Sequence, residues 1–309
     1  GVRKYTDAQS QLDTFFTARE MNTLWPNAIT LGPLVTSIGG PDGSPIIDFS
    51  SLSSSISAIT QNGADAKLYS LAGTTWTLRD TIVASQPFPN RSVVFNGRIF
   101  CTTLAGYSYQ TSVTSTATNV AGPPANSSFA VLDNKLWALT NGATKTLYSS
   151  TTGDSGSWTP LAVLPSVDLG LRAELALFDD AQGGQILWAV TSRGCYLYDQ
   201  DTDVWHESRL MFPPWTDADN VNARQVLYKD SLIIVSGFLS ILKVTPGNGS
   251  IMVKNIDMGL PDGMSADYES STVGLLAADT RYVYAITGGR GDTGVTRRPE
   301  LFIYNDRGW

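Results

Sequence analysis

The stretch Ala189-Val190-Thr191-Ser192-Arg193-Gly194-Cys195-Tyr196-Leu197-Tyr198 is one copy of a pattern that runs through the chain. Its core is Ala-Φ-Thr, with Φ apolar, followed within a few residues by Gly. The same core stands at Ala58-Ile59-Thr60 before Gly63, Ala138-Leu139-Thr140 before Gly142 and Ala285-Ile286-Thr287 before Gly288. Looser copies fill the gaps, Cys101-Thr102-Thr103 before Gly106 and Ile234-Val235-Ser236 before Gly237. Six copies at intervals of roughly forty residues match the period of a four-stranded propeller blade.

Working outward from each core gives the rest of the unit. Ahead of it lies another apolar strand and a tight turn, at Asn96-Gly97, Asp133-Asn134, Asp179-Asp180, Lys229-Asp230 and Asp279-Thr280. Asn and Gly tolerate positive φ, so these pairs between apolar runs predict hairpins. Behind each core comes a third strand that usually carries Tyr: Leu68-Tyr69, Tyr107-Ser108-Tyr109, Leu147-Tyr148, Tyr196-Leu197-Tyr198 and Ile303-Tyr304, with Ile241 to Val244 in the fifth copy. A Trp then opens a fourth strand at Trp76, Trp158, Trp205 and Trp309. Gly, Asn and Asp recur too often for amphipathic helices. The expected fold is all-β, a six-bladed β-propeller of four-stranded blades over residues 29–309, preceded by a helical arm over residues 1–28.

Two families come into view at this point. Tyr69 to Trp76 and Tyr198-Asp199 to Trp205 have the Tyr-x6-Trp spacing of kelch repeats, and Ile286-Thr287-Gly288-Gly289 followed by Tyr304 resembles a kelch Gly-Gly blade. Thr152-Gly153-Asp154-Ser155-Gly156-Ser157-Trp158 is similar to the Asp-box of sialidase-type propellers, one residue short. The resemblance implies a kelch-like propeller. The Asp-box is a structural turn in its family and bears on fold, not on activity.

The two ends depart from the repeat. Thr6-Asp7-Ala8-Gln9 reads as a capping box, and Leu12, Phe15, Phe16 and Ala18 to Met21 follow at helical spacing. One short helix is expected there, ending before Pro26. The last blade reaches Trp309 where its fourth strand should begin. Ile29 to Val35 is expected to supply that strand as a clasp, the alternative being a neighbouring chain or further residues.

Composition narrows the partners. Of the 309 residues 42% are hydrophobic and only 16% charged, and the formal net charge is −7. An acidic chain lacks the basic stripe that nucleic acid requires, and is poorly matched to an anionic membrane surface. No apolar run is long enough for a membrane-spanning helix; the best, Ser231 to Val244, is broken by Ser236, Gly237 and Ser240. Cys101 and Cys195 fall in non-adjacent blades and are read as free thiols.

Candidate chemistry is sparse. His206 is the only histidine, too few for a His-rich metal site. Asp199, Asp201 and Asp203 alternate as the first ligands of a calcium loop do, making Ca²⁺ the one candidate cofactor; the loop lacks the Gly and Glu such a site uses later, so a polar hairpin turn is the competing reading. A glycoside hydrolase would need a carboxylate pair, for which Glu174, Asp179, Asp217, Asp219, Asp267 and Glu269 are available, and Arg172, Arg224 and Arg290 recur at similar blade positions. Arg290-Gly291-Asp292 spells an adhesion tripeptide in a long Gly-rich loop. Trp25, Phe88 between two prolines, and Trp215 after Pro213-Pro214 stand in loop-like contexts suited to sugar stacking or protein hot spots. The expected function is non-enzymatic recognition of protein subunits or glycans, within a larger assembly such as a virion. A glycan-binding lectin is the first alternative and a glycoside hydrolase the second. An extracellular or virion-surface location is favoured.

Overall fold

The structure is a computed structural model of all 309 residues. It describes residues 21–25, 28–31, 41–43, 46–62, 65–82, 92–165, 173–179, 184–191, 194–211, 224–229, 231–236, 240–247, 250–256, 272–278, 280–288 and 300–306. Among them every regular element is a strand. A hairpin, β1 (Met21–Trp25) with β2 (Ala28–Leu31), precedes six antiparallel sheets. Blade 1 is β3 (Ile46–Leu52), β4 (Ser55–Asn62), β5 (Asp65–Ala72) and β6 (Thr75–Ile82); blade 2 is β7 (Val93–Phe95), β8 (Arg98–Thr102), β9 (Gly106–Gln110) and β10 (Thr118–Ala121). Blade 3 is β11 (Ser127–Leu132), β12 (Lys135–Thr140), β13 (Thr146–Ser150) and β14 (Thr159–Val163); blade 4 is β15 (Ala173–Asp179), β16 (Gln185–Thr191), β17 (Gly194–Asp199) and β18 (Val204–Met211). Blade 5 is β19 (Arg224–Tyr228), β20 (Ser231–Ser236), β21 (Ser240–Gly247) and β22 (Ser250–Asn255), and blade 6 is β23 (Thr272–Ala278), β24 (Val283–Gly288) and β25 (Glu300–Tyr304).

Each sheet is a simple meander, and the first strands of successive blades lie against one another. All six copies of the repeat core fall on the second strand of a blade, and the register shows why that position wants Ala. Ala58 lies opposite Phe49 on one side and Tyr69 on the other, and Ala138 opposite Phe129 and Tyr148. Ala189 lies between Leu175 and Tyr196, and Ala285 between Leu276 and Phe302. All four alanines are fully buried. A small residue between two large ones keeps the sheet face level enough for the neighbouring blade to pack on it.

That packing yields one apolar cluster at each of the five junctions between consecutive blades. Ile59, Leu68 and Ile82 of blade 1 meet Cys101 of blade 2; Phe95, Phe100 and Tyr107 of blade 2 meet Phe129, Leu136 and Ala138 of blade 3. Trp137, Leu139 and Leu147 meet Leu175, Ala189 and Trp205 of blade 4, Trp188 and Val190 meet Leu232 and Val244 of blade 5, and Tyr228 and Ile233 meet Val283 and Ala285 of blade 6. On the face of blade 1 that carries Ala58, the Phe49, Ile56 and Leu78 side chains are exposed.

The expected free thiols are found: Cys101 and Cys195 are both buried and unbridged, at different junctions. Burial pushes the Cys101 thiol up to about 12.

The ends need correction. The helix expected to continue towards Pro26 gives way to strand over Met21–Trp25, while residues 1–20 lie outside the described residues. Thr23 and Trp25 favour extended backbone, and the Pro-Asn pair after them suits a reversal. β2 takes β1 as its partner (Met21 opposite Leu31, Trp25 opposite Ala28), where the clasp expectation would have put it beside β25. The last sheet accordingly has three strands among the described residues, and Trp309 lies outside them.

Candidate binding face

An up-and-down blade sends its turns alternately to its two ends, so the strand bounds assign every connection to one end of the propeller. At one end are the turns from first to second and from third to fourth strand: 53–54, 73–74, 96–97, 133–134, 200–203, 229–230 and 248–249, with longer ones at 111–117, 151–158, 180–184 and 279–282. At the other are the links between blades, 83–92, 122–126, 164–172, 212–223 and 256–271, and the turns from second to third strand, of which 289–299 is the longest. The first is the turn end and the second the connection end.

The turn end is built for rigidity. Asn96 and Gly97 both take positive φ, as do Asp133 and Asn134, the geometry of tight hairpins. Ser53 and Ser54 do the same in blade 1. The Asp-box-like turn is the most elaborate element here. Gly153 has φ +74°, and a Cβ there would lie 2.6 Å from Phe100 Cζ. The Ser150 hydroxyl accepts from the Gly153 N–H at 2.7 Å, and the Ser157 hydroxyl donates to the Asp154 carbonyl at 2.6 Å. Blade 2 reaches across to it. Arg98 donates to Asp154 Oδ1 at 2.7 Å and also to the Thr152 carbonyl, Tyr107 donates to the Gly153 carbonyl at 3.0 Å, and the Arg98 guanidinium lies over the Tyr109 ring at 4.7 Å. The hydrogen bond from Arg98 holds the Asp154 carboxyl below its ordinary value. This turn is a staple between blades 2 and 3.

The acidic triplet sits at the same end. Asp199 accepts from the Asp201 N–H at 2.9 Å and from the Thr202 hydroxyl at 2.7 Å, and Asp203, at φ +56°, accepts from the Tyr198 hydroxyl. Its Thr202 and Asp201 bonds hold the Asp199 carboxyl low, and burial followed by the bond to Asp203 pushes the Tyr198 phenol up. The Asp199 and Asp203 carboxylates close the hairpin. Among the described residues no three His, Cys, Asp or Glu side chains are grouped to hold a metal. Exposed His206 lies 3.7 Å from Asp199.

At the connection end the Thr of the repeat closes the turn in blades 3 and 4, while Thr60 Oγ1 of blade 1 is buried without a partner among the described residues. Thr191 Oγ1 donates to the Gly194 carbonyl at 2.9 Å and accepts its N–H at 3.1 Å, and Thr140 Oγ1 accepts from the Thr146 N–H at 2.9 Å. Bonds also run from blade to blade, Asn126 N–H to the Thr103 carbonyl at 2.7 Å and Ala173 N–H to Asn141 Oδ1 at 2.6 Å, while within blade 3 the Asn141 N–H donates to the Asn126 carbonyl at 2.8 Å.

Phe88, Trp215, Arg290 and Asp292 lie outside the described residues; the strand ends that flank their three segments stand at the connection end. Trp25 closes β1 in the separate hairpin. Of the carboxylates considered for hydrolysis, Asp217, Asp219, Asp267 and Glu269 are outside the described residues. Glu174 and Asp179 stand at opposite ends of β15, about 16 Å apart at strand rise. A hydrolytic pair needs about 5–10 Å, so these two do not form one. Residues with no sequence signal also emerge at the connection end: Lys145 is buried, and Asn126 has a buried side-chain oxygen without a partner.

No protein-family model matches the chain, and no curated protein matches its sequence. Solved structures do. The extracellular domain of the one-component system BT4673 from B. thetaiotaomicron is 12% identical with a TM-score of 0.55, over 81% of this chain and 32% of that one. A second structure, of the extracellular domain of the hybrid two-component system BT4673, gives 14% and 0.52, over 87% and 34%. A Bacteroides uniformis protein assigned as a 6-phosphogluconolactonase gives 13% and 0.50, over 83% and 88%. The chain thus spans about a third of the two BT4673 domains. At these identities the likeness is one of fold, and it agrees with the propeller architecture.

Proposed function

We propose that this chain is a recognition propeller that binds a protein or glycan through its connection end and performs no chemistry of its own. One observation carries the reading: the long segments of five blade positions, with Phe88, Trp215, Arg290 and Asp292 among them, spring from one end of a scaffold whose other end is tied down by tight turns. Long loops on a rigid frame are where binding residues concentrate. The propeller likeness to extracellular domains of one-component and hybrid two-component systems supports recognition outside the cell. The kelch-like spacing fits the same reading, since Tyr198 and Trp205, opposite one another on adjacent strands, serve packing with ring centroids 5.2 Å apart. Membership of a larger assembly remains part of the proposal; the comparisons lend a virion no support.

A lectin is the form of this function that is quickest to test. The purified chain is applied to a glycan array with and without EDTA, beside Phe88→Ala and Trp215→Ala. Selective binding that both substitutions weaken, unchanged by EDTA, is the expected lectin result. Binding that survives both substitutions and is lost on Asp199→Ala would overturn the assignment of the connection end. A blank array would turn the proposal to protein ligands.

A further inference from the structure

The blade junctions follow one rule of facing. In blades 2–5 the residue just ahead of the repeat core, Phe100, Trp137, Trp188 or Ile233, is buried and packs on the following blade. The core Ala lies on the other face, which meets the preceding blade, as Ala138 and Ala189 do. Successive side chains of a strand alternate between its faces, so the two roles fall to neighbouring residues.

Two faces depart from this rule, on blade 1 and on blade 6. Phe49 lies opposite Ala58 and is 45% exposed, whereas Phe129 and Leu175, opposite Ala138 and Ala189, are 3% and 5% exposed. Ile56, two residues before Ala58, is 39% exposed, whereas Leu136 and Leu187 at the same place are fully buried. Leu78, in the cross-strand row of Phe49, Ala58 and Tyr69, is exposed as well. Asp42 lies at the connection-end edge of this face, accepting from the Tyr69 hydroxyl at 2.9 Å and from Lys67 at 3.3 Å. On blade 6 the residue ahead of the core is Tyr284. It is partly exposed, on the face away from blade 5, with Ile303 opposite it and the Tyr282 ring 6.2 Å away.

Large apolar side chains left in water on a sheet face are destabilising, and each of these faces offers the other the contact that consecutive blades already make. We infer that blade 6 of the same chain docks on the Ala58 face of blade 1, with Tyr284 seated against Phe49, Ile56 and Leu78, and that this contact closes the ring. The contact is intramolecular because the blades between hold both faces on one chain, whereas a second copy docking in the same way makes a head-to-tail contact that weakens on dilution. Closure also sets the strand ends flanking 289–299 beside blade 1, so that the connections surround one mouth. It is independent of what that mouth binds.

The test is thiol labelling of the full chain. Cys101 and Cys195 are buried at other junctions and serve as internal references. Ile56→Cys and Phe49→Cys are made separately, so that neither position decides alone, and each is treated with a maleimide at several protein concentrations beside sedimentation analysis. Both new thiols should react at least about tenfold more slowly than in the urea-unfolded chain, on a monomer and at a rate unchanged by dilution. Adding Tyr284→Ala should raise that rate at least about tenfold while Cys101 and Cys195 stay protected, and Tyr284→Phe, which keeps the ring, should leave it slow. Labelling at the unfolded rate, or protection untouched by Tyr284→Ala, overturns the proposal. Protection lost on dilution, with a dimer or larger species in sedimentation, overturns it too and gives the face to a second copy.

Discussion

The two ends of the propeller hold the same strands in opposite ways. At the turn end, Asp133-Asn134 and Asn96-Gly97 reverse the chain in two residues, and the 151–158 turn is bound to blade 2 by Arg98 and Tyr107. At the connection end, consecutive blades are joined by segments such as 212–223 and 256–271, and Thr60 Oγ1 and Asn126 Oδ1 are buried without a partner among the described residues. The difference teaches where each demand on the sequence is met. Blades are tied together by side chains at the turn end, by the apolar junctions, and at the connection end largely by backbone N–H groups such as those of Asn126 and Ala173, which leaves the side chains of the longer connections free to vary.

The comparison can be broken by substitution, and the largest effect belongs to the junctions. Trp137 is 2% exposed, donates to the Leu132 carbonyl at 3.1 Å and meets Tyr198 edge-on at 5.6 Å. Trp137→Ala should cost about 3–5 kcal/mol in chemical denaturation. Gly153→Ala combines positive φ with a Cβ 2.6 Å from Phe100, and should cost about 2–4 kcal/mol. A cost below about 1 kcal/mol would show that the turn is not the staple described.

Arg98→Ala comes next. Its guanidinium is largely buried but its partner Asp154 is more than half exposed, so the loss should be about 1 kcal/mol, much of it from the Phe100 and Tyr109 rings. The same variant sharpens the pH dependence. The Asp154 pKa is depressed in the folded state, so its contribution is present above the ordinary carboxyl value of 3.8 and is lost as pH falls through the lower folded value. Acid titration of stability should therefore be shallower in Arg98→Ala than in the parent. The smallest effects are expected at the connection end, where Phe88→Ala and Trp215→Ala should change stability by less than about 0.5 kcal/mol while altering binding.

Much of this architecture is legible in the sequence because the repeat has a steric cause. An Ala must lie between Phe129 and Tyr148, or between Leu175 and Tyr196, for blades to stack, so it recurs at blade spacing. In two copies the Thr after it closes the following turn with its hydroxyl, at Thr140 and Thr191, whereas the Thr60 hydroxyl is buried without a partner among the described residues. Ser53-Ser54 was not legible as a tight turn, since serine carries no preference for positive φ. Met21–Trp25 reads as the tail of a helix because the apolar spacing before it is helical, and pairing with Ala28–Leu31 overrides that pattern. Alternating carboxylates look alike whether they bind a cation or close a hairpin, and only the hydrogen bonds of Asp199 and Asp203 show that two of the three serve the turn. Burial of Lys145 is a tertiary fact with no local signature.

The most direct test of the division between the two ends is insertion scanning. A five-residue Gly-Ser segment is placed in turn within 83–92, 212–223, 256–271 and 289–299, and within 96–97, 133–134, 151–158 and 200–203, and the melting temperature of each variant is measured. The account predicts small losses for the first group, because lengthening a loop that is already long adds little closure entropy. Large losses are predicted for the second, where the hairpins and the Arg98 staple are broken. Equal losses in the two groups, or larger ones at the connections, would contradict it.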